Sequence, residues 1–376
     1  MGRGSRRRVV RRGGGIPITR SRTRNMRKDK MKEFYRSPRL TEQPERVVVL
    51  DEHDFAGVGS KLAKALKDRY DTVQYLPLRR GGVDKHRFRD AFGPGPNYSR
   101  TLLLIIEPGS GVHQPDAEFH RWLYHTYKGA TRPNVPFGIY WCGSLCRVTN
   151  MELQYKLPLD HARWLRQRRD YLDSLTPLRM CATECLESLG TGLTHKFVGQ
   201  PYPFPAEMPK KPAKHHIMHT PTAPFKTDCF KGTNKIKQAF ESVKFDKKCR
   251  ATTEIVHYGT PNTTILNRLD RATMYALTMT DWDSGMGYGG IEALARGCLV
   301  FTKKPTNTTM KTPIIHVNDP TALYKKIKYY SQKCNRAEYE SLRREQFEWA
   351  RAMFSPDRVA NRVYKHIQKL IDTGWS

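Results

Sequence analysis

The sequence predicts an α/β chain of two doubly wound halves, each a parallel sheet with helices on both faces. Three observations carry that prediction. From Arg46 onward, short aliphatic runs alternate with turn-rich loops and amphipathic helices, and alternation of this kind builds parallel sheets. The segment Pro201 to Lys214, with five prolines in 14 residues, interrupts the pattern, which resumes at His215. The length, 376 residues, exceeds what one core of ordinary size holds.

The elements follow in chain order. Residues 1–45 form a basic arm; its first stretch, Met1 to Gly15, is Arg and Gly with almost nothing apolar. Such a segment cannot bury enough surface to offset its chain entropy, so disorder is expected until it meets an anion. Arg6, Arg7, Arg8, Arg11 and Arg12 are its candidate nucleic-acid contacts. Residues 46–200 form the first half. Arg46 to Leu50 is a buried parallel strand, Asp51 to Ser60 a loop, and a helix follows with Leu62, Ala65 and Leu66 at core spacing. Asp71 to Leu76, Thr101 to Ile106 and Val135 to Trp141 read as strands, and Ala117 to Tyr127 as a helix.

Residues 201–214 are a stiff proline-rich connection. Residues 215–354 form the second half: strands at His215 to Thr220, Glu254 to Tyr258, Met274 to Met279 and Leu299 to Thr302, with helices at Thr233 to Val243 and Ile291 to Arg296. Residues 355–376 are a last helix, with Ser355 as cap, Pro356 at its first position and a stripe of Val359, Val363, Ile367 and Ile371. A helix closing the second half is favoured over one that crosses back to brace the first. Two doubly wound halves leave a cleft between them, and ligands of such sheets bind at the carboxyl ends of the strands.

The charge is the outlier of the composition. Formal net charge is +30, which calls for a polyanion: nucleic acid, an anionic membrane face or phosphorylated ligands. Residues 1–46 carry thirteen Arg, three Lys and four acids, a net +12, so +18 belongs to the remaining 330 residues. The longest aliphatic run, Leu102 to Ile106, is far short of a membrane span, and no apolar segment follows the first arginines as in a signal peptide. Arg and Ser content is compatible with a transit peptide, but the glycines make a poor amphipathic helix. Eight cysteines without a secretory signal suit free thiols in a reducing, cytoplasmic compartment, not a secreted chain. Cys142 and Cys146 are four apart, as are Cys181 and Cys185. The first pair follows a buried strand and the second reads as helix, so zinc is set aside and no metal site is expected.

Two stretches carry chemistry. In Asp281 to Val300, Gly285, Gly287, Gly289 and Gly290 lead into a helix whose first turn is read to contain Glu292. A glycine-rich turn lets amides approach a phosphate, the helix N-terminus adds about half a positive charge, and a carboxylate there accepts bonds from sugar hydroxyls. The same features would also serve a flexible loop before an ordinary helix. In His219 to Ala239, Lys226 and the run Phe230 to Thr233 place an ammonium and free amides at a helix start, which suits a diphosphate or, equally, a solvated surface. On the other side of the cleft, Glu107 follows the central strand of the first half and is a candidate base or acceptor-orienting group. Asp51, His53 and Asp54 end the first strand in the same relation.

Taken together, H-x-P-[ST], then KGT, then Y-G-G-I-E-A-L-A-R-G resembles the second half of group 1 type nucleotide-sugar glycosyltransferases. More loosely, Trp141 to Arg147 looks like the HGS-x-x-R turn of one branch, Thr183 to Leu189 like an sTpdLl element, and Asn318 to Ile327 like a late DPeaLaeaI segment. The resemblance covers roughly residues 46 to 370 and implies a GT-B fold, two Rossmann-like domains with the donor nucleotide held mainly by the second. It implies that Lys231, helped by Lys226, contacts the donor diphosphate and that Glu292 binds the ribose. Gly232, Tyr288, Gly289, Gly290 and Ser144 would line the donor. Relatives carry a second acid eight residues before Glu292, where this chain has Ser284; Asp283 beside it is the candidate for the sugar contact. Cys142 stands where a His precedes the Gly-Ser turn. A retaining reaction without metal or cofactor is the implied chemistry, so no enzyme nucleophile is assigned. The catalytic candidates are therefore Lys231, Glu107 and Asp283. The acceptor is expected to be nucleic acid, such as a modified DNA base, ahead of an acceptor at an anionic membrane. The alternative is an inactive nucleic-acid-binding protein on the same scaffold.

Overall fold

In the computed structural model, residues 36–51, 57–77, 100–106, 135–142, 169–183, 195–221, 231–280, 286–304 and 310–375 are described. The first sheet is built from β1 (Arg46–Asp51), β2 (Thr72–Pro77), β3 (Thr101–Ile106), β4 (Phe137–Trp141), β5 (Arg179–Cys181) and β6 (Lys196–Phe197), with α1 (Val58–Leu66) between β1 and β2. Its order is β2-β1-β3-β4-β5-β6 and every pairing is parallel. Val47 to Leu50 and Leu102 to Leu104 are fully buried, as continuous aliphatic runs must be when both faces of a parallel sheet are covered. Asp173 ties its far side: one carboxylate oxygen accepts from Trp141 Nε1 at 2.8 Å and the other faces His195 Nε2 at 2.9 Å.

The second sheet contains β7 (His215–His219), β8 (Ala251–Ile255), β9 (Met274–Ala276), β10 (Leu299–Thr302) and β11 (Ile315–His316), in the order β11-β10-β9-β7-β8, again all parallel. The helices of this half are α2 (Thr233–Phe245), α3 (Asn262–Arg271), α4 (Tyr288–Ala295), α5 (Pro320–Tyr330) and α6 (Arg336–Phe354), and α7 (Pro356–Asp372) follows. Counted from its own first strand, the second sheet repeats the 2-1-3-4-5 order of the first. In each, therefore, the winding reverses between the first and third strands, β1/β3 and β7/β9, and a crevice opens at the carboxyl ends there.

Several boundaries differ from the sequence reading. The eighth strand is Ala251–Ile255 instead of Glu254–Tyr258, because His215 pairs with Ala251 and His219 with Ile255; the chain then turns away, leaving Tyr258 exposed. β9 ends at Ala276, after which the Met279 amide donates to Lys231 O. Cys181 lies in strand β5, not in a helix. The helix expected over Ala117 to Tyr127 lies outside the described residues. The five described cysteines, Cys142, Cys181, Cys249, Cys298 and Cys334, are free thiols.

The proline-rich connection is held along α6. The Tyr202 amide donates to Phe354 O at 2.8 Å, Arg351 Nη1 donates to Ala206 O at 2.7 Å, and the Phe204 and Phe347 rings meet edge to face. The last helix does not close the second half: α7 packs on α1, Arg362 Nε donates to Val198 O at 2.8 Å, and Gln43 Nε2 donates to Tyr364 O at 3.3 Å. Its stripe Val359, Val363 and Ile367 is buried there. Proline at position 356 forces Ser355 into extended backbone, so the chain leaves α6 and turns back toward the first sheet. Ser355 caps α7 by position only, with no side-chain bond.

Candidate functional site

The two crevices meet. Lys61, in the first turn of α1 at the carboxyl edge of β1, places Nζ 3.8 Å from the ring centroid of Tyr288, the first residue of α4 at the carboxyl edge of the second sheet. The same ammonium stands 5.6 Å from the Tyr202 ring. Tyr288 Oη donates to Pro201 O at 3.4 Å. A cation over an aromatic face is attracted by the ring quadrupole, so Lys61 and Tyr288 form a contact between the two halves. Tyr288, a donor-lining candidate from the sequence, is buried and joins the two halves.

Asp51 is also assigned differently. It is 2 % exposed, and its Oδ2 accepts the Gly59 amide at 3.0 Å. Any Cβ on Gly59 would lie 2.2 Å from that oxygen, so glycine is what lets the helix start approach so closely. Asp51 therefore anchors α1, and with it Lys61, instead of facing an acceptor.

At the second crevice a buried histidine fastens three elements. His219 Nδ1 lies 2.8 Å from Ala276 O and Nε2 2.9 Å from Thr233 Oγ1. A carbonyl can only accept, so Nδ1 carries the proton and Nε2 accepts from the Thr233 hydroxyl. Burial, reinforced by the Lys231 charge, pushes the His219 pKa down to about 4 against the pull of the Ala276 carbonyl, and the ring stays neutral. The ends of β7 and β9 and the start of α2 are thereby held together. Lys231 is half-buried immediately before Gly232, which has φ +62° and whose Cβ would approach the Met279 carbonyl carbon to 3.0 Å. Gly232→Ala is expected to cost about 1–2 kcal/mol from the left-handed backbone alone, measured by urea unfolding. An unchanged midpoint would show that this turn is not held as described.

The helix that follows β9 begins earlier than its sequence suggested. Gly287 is extended, and its carbonyl accepts the Gly290 and Ile291 amides, so α4 starts at Tyr288 and Glu292 lies in its second turn. Gly289 and Gly290 serve packing: their Cβ atoms would lie 3.0 Å from Tyr275 Oη and 2.3 Å from Met286 Sδ. Packing against the protein's own side chains is thus one reason for glycine at these two positions, beside the close approach of the chain to a donor expected from the sequence. Glu292 is 7 % exposed. Burial raises its pKa, opposed by the charges of Lys61 and Arg296 and by a hydrogen bond from Asn262. Arg296 in turn donates to Tyr202 Oη at 2.8 Å and pairs with Asp270 at 3.2 Å.

Of the candidates read from sequence, the structure brings Glu292 and Tyr288 to the junction, places Lys231 and Gly232 at the adjacent crevice, and gives Asp51 to α1. Glu107, Asp283, Lys226, Ser144, His53, Asp54 and the arm residues Arg6, Arg7, Arg8, Arg11 and Arg12 lie outside the described residues. Lys61 was missed, although it is the first cation after the loop that ends β1. Asn262, Arg296 and Tyr202 were missed because nothing local marks them. Among the described residues no cluster of His, Cys, Asp and Glu is arranged to hold a metal ion, and no helix is long and apolar enough to cross a membrane.

No family model and no curated protein matches the sequence. Solved structures do match in shape. The chain is similar to HepE (Alr3699) of Anabaena in complex with UDP-glucose, with TM-score 0.54 and 8% identity over 86% of this chain and 100% of that one. It is also similar to the N-terminal domain of trehalose-6-phosphate phosphatase of Candida albicans, with TM-score 0.52 and 10% identity over 89% and 98% of the two chains. With the paired parallel sheets and their facing switch points, these likenesses establish that the chain has the GT-B architecture of two Rossmann-like domains.

Proposed function

We propose that the chain is a glycosyltransferase that moves a sugar from a nucleotide-diphosphate donor to a hydroxyl acceptor. The observation that carries this reading is the junction itself: a buried carboxylate, Glu292, and the start of α4 lie where the carboxyl edges of two parallel sheets meet, beside the Lys231–Gly232 turn. HepE, a protein of similar shape, holds UDP-glucose. In the proposed site Glu292 accepts the two ribose hydroxyls of the nucleotide. Lys231, assisted by Lys226, and the amides at the start of α4 receive the diphosphate.

The reaction breaks the bond between the sugar anomeric carbon and the diphosphate oxygen, and the acceptor hydroxyl oxygen forms the new one. Negative charge grows on the leaving diphosphate, so a fixed ammonium and a helix N-terminus are worth most in the transition state. Asp283 would hold the sugar and Glu107 would orient the acceptor hydroxyl. We assign a retaining, metal-independent course with no enzyme nucleophile. The net charge of +30 exceeds what a nucleotide-sugar site uses, and it supports nucleic acid as acceptor or partner.

The test is release of nucleoside diphosphate from a panel of UDP-, GDP- and ADP-sugars, with and without DNA. One donor class is expected to turn over, and Lys231→Ala is expected to lower kcat by about 10²–10³, the loss typical of removing one preorganised charge-stabilising group. Failure of every donor to bind or react would reject the transferase reading; full turnover by the variant would reject the role of Lys231.

A further inference from the structure

The opposite edge of the second sheet carries a separate basic surface. At the amino ends of β7 and β8 and the end of α5, a groove of about 680 Å³ is lined by Lys214, Arg250, Lys333 and Arg336, with no acid among its lining residues. Arg336 shares its charge with Glu340, whereas Lys214, Arg250 and Lys333 have no ion pair among the described residues. His215 also lines the groove; it is 5 % exposed, and its Nδ1 has no hydrogen-bond partner among the described residues. Burial and the Arg336 and Arg343 charges push its pKa down to about 4, so the ring is neutral and the positive charge of the groove comes from its Lys and Arg side chains.

Five residues before Arg250 of this groove an aromatic ring stands in solvent. Phe245, the last residue of α2, is 85 % exposed. It is flanked by Lys244, Lys247 and Lys248, all exposed, and Arg250 of the groove is five residues further on. The one acid of this stretch, Asp246, is occupied by Lys328 at 2.8 Å and by the Tyr324 hydroxyl at 2.6 Å. Leaving a phenyl ring in water forgoes about 1.5–3 kcal/mol of burial, and a ring framed by cations is suited to a ligand that has both phosphates and flat apolar faces.

We propose that this edge is a track for single-stranded nucleic acid, with phosphates along the groove on Lys214, Arg250, Lys333 and Arg336 and an unpaired base stacked on Phe245. A groove lined with cations favours a strand over a bilayer, because a flexible chain of phosphates can follow the groove along its length while a bilayer presents a plane. A free aromatic face favours an unpaired base, because a duplex keeps its bases stacked on each other. The inference rests on the nucleic-acid reading of the charge, not on the donor site, which lies at the other edge of the sheet.

The experiment is fluorescence anisotropy of the full chain with a labelled DNA single strand of mixed sequence and with the matching duplex, across a salt series. Phe245→Ala is expected to weaken the single strand by about tenfold or more without changing its salt slope, and to leave the duplex unaffected. The combined Lys214→Gln, Arg250→Gln and Lys333→Gln variant is expected to reduce the single-strand salt slope by about 2, at about 0.7 for each phosphate contact. An unchanged slope in the triple variant, equal losses for strand and duplex in Phe245→Ala, or variants that lose only capture by phosphatidylserine vesicles would each overturn the track. All substituted positions are solvent-exposed, and the thermal midpoint and nucleoside diphosphate release of each variant should match the parent. Should the parent release no nucleoside diphosphate while both variants behave as expected, the transferase reading falls and the track stands.

Discussion

Glu292→Gln is expected to raise the KM for the donor by about 100-fold or more, with a smaller effect on kcat and with no loss of stability. The ribose is remote from the bond that breaks, so bonds to it are made equally in ground and transition states, and their removal falls on KM. Two charge-assisted hydrogen bonds, each worth about 1.5–3 kcal/mol, exceed the roughly 2.7 kcal/mol that a 100-fold change requires. Stability should move the other way. Burial raises the Glu292 pKa above its ordinary value, so the folded chain binds this proton more tightly than the unfolded one. At a pH below the unfolded value the carboxyl is neutral in both states and costs nothing; as pH rises through the folded value the cost becomes complete. Glutamine never charges, so the variant should unfold at an equal or higher temperature at neutral pH, and the difference should vanish in acid. A variant that binds donor normally, or whose donor loss is matched by a lower midpoint, would make Glu292 a structural residue.

The largest effect on stability is expected at Arg343. Its side chain is 1 % exposed; Nε donates to Gly297 O at 2.6 Å, Nη2 donates to Pro209 O at 3.0 Å, Nη1 meets Glu340, and the guanidinium carbon lies 5.3 Å from the centroid of the Tyr339 ring. One residue of α6 thereby fastens the turn after α4 to the proline-rich connection. Arg343→Met keeps the apolar volume and leaves two carbonyls without donors, at about 1–3 kcal/mol each. Glu340 is 37 % exposed and regains water, so the lost ion pair adds little. The expected loss is about 3 kcal/mol in urea unfolding. A loss below about 1 kcal/mol would mean that the connection is held by its other contacts alone.

The interior strands were legible because a strand covered on both faces has to be aliphatic along its length, as β1 and β3 are. The eighth strand was misplaced for the complementary reason. β8 is an edge strand of half-buried residues, Ala251 to Ile255, and the more apolar stretch just after it drew the reading downstream. β5 and β6, three and two residues long, are too short to show any period. The stripe on α7 was visible, but an apolar stripe does not name its partner, and only the packing on α1 shows which half it serves.

The residues of the proposed site were marked in the sequence to a similar depth. Glu292 and Lys231 stood out because glycine turns before helices are local patterns. Lys61 belongs to the same junction through a contact between residues more than 200 positions apart, at 3.8 Å from the Tyr288 ring, which no spacing rule encodes. Asp51 misled because a carboxylate at the end of a strand looks alike whether it faces a substrate or the helix that follows; its bond to the Gly59 amide decides between them.

The most direct test of the donor site is a crystal structure of the chain with a nucleoside diphosphate bound. The ribose hydroxyls should lie within hydrogen-bond distance, about 2.6–3.2 Å, of Glu292, with the diphosphate against Lys231 and the start of α4. A nucleotide seated elsewhere, with Glu292 still enclosed by Lys61, Arg296 and Asn262, would contradict the account.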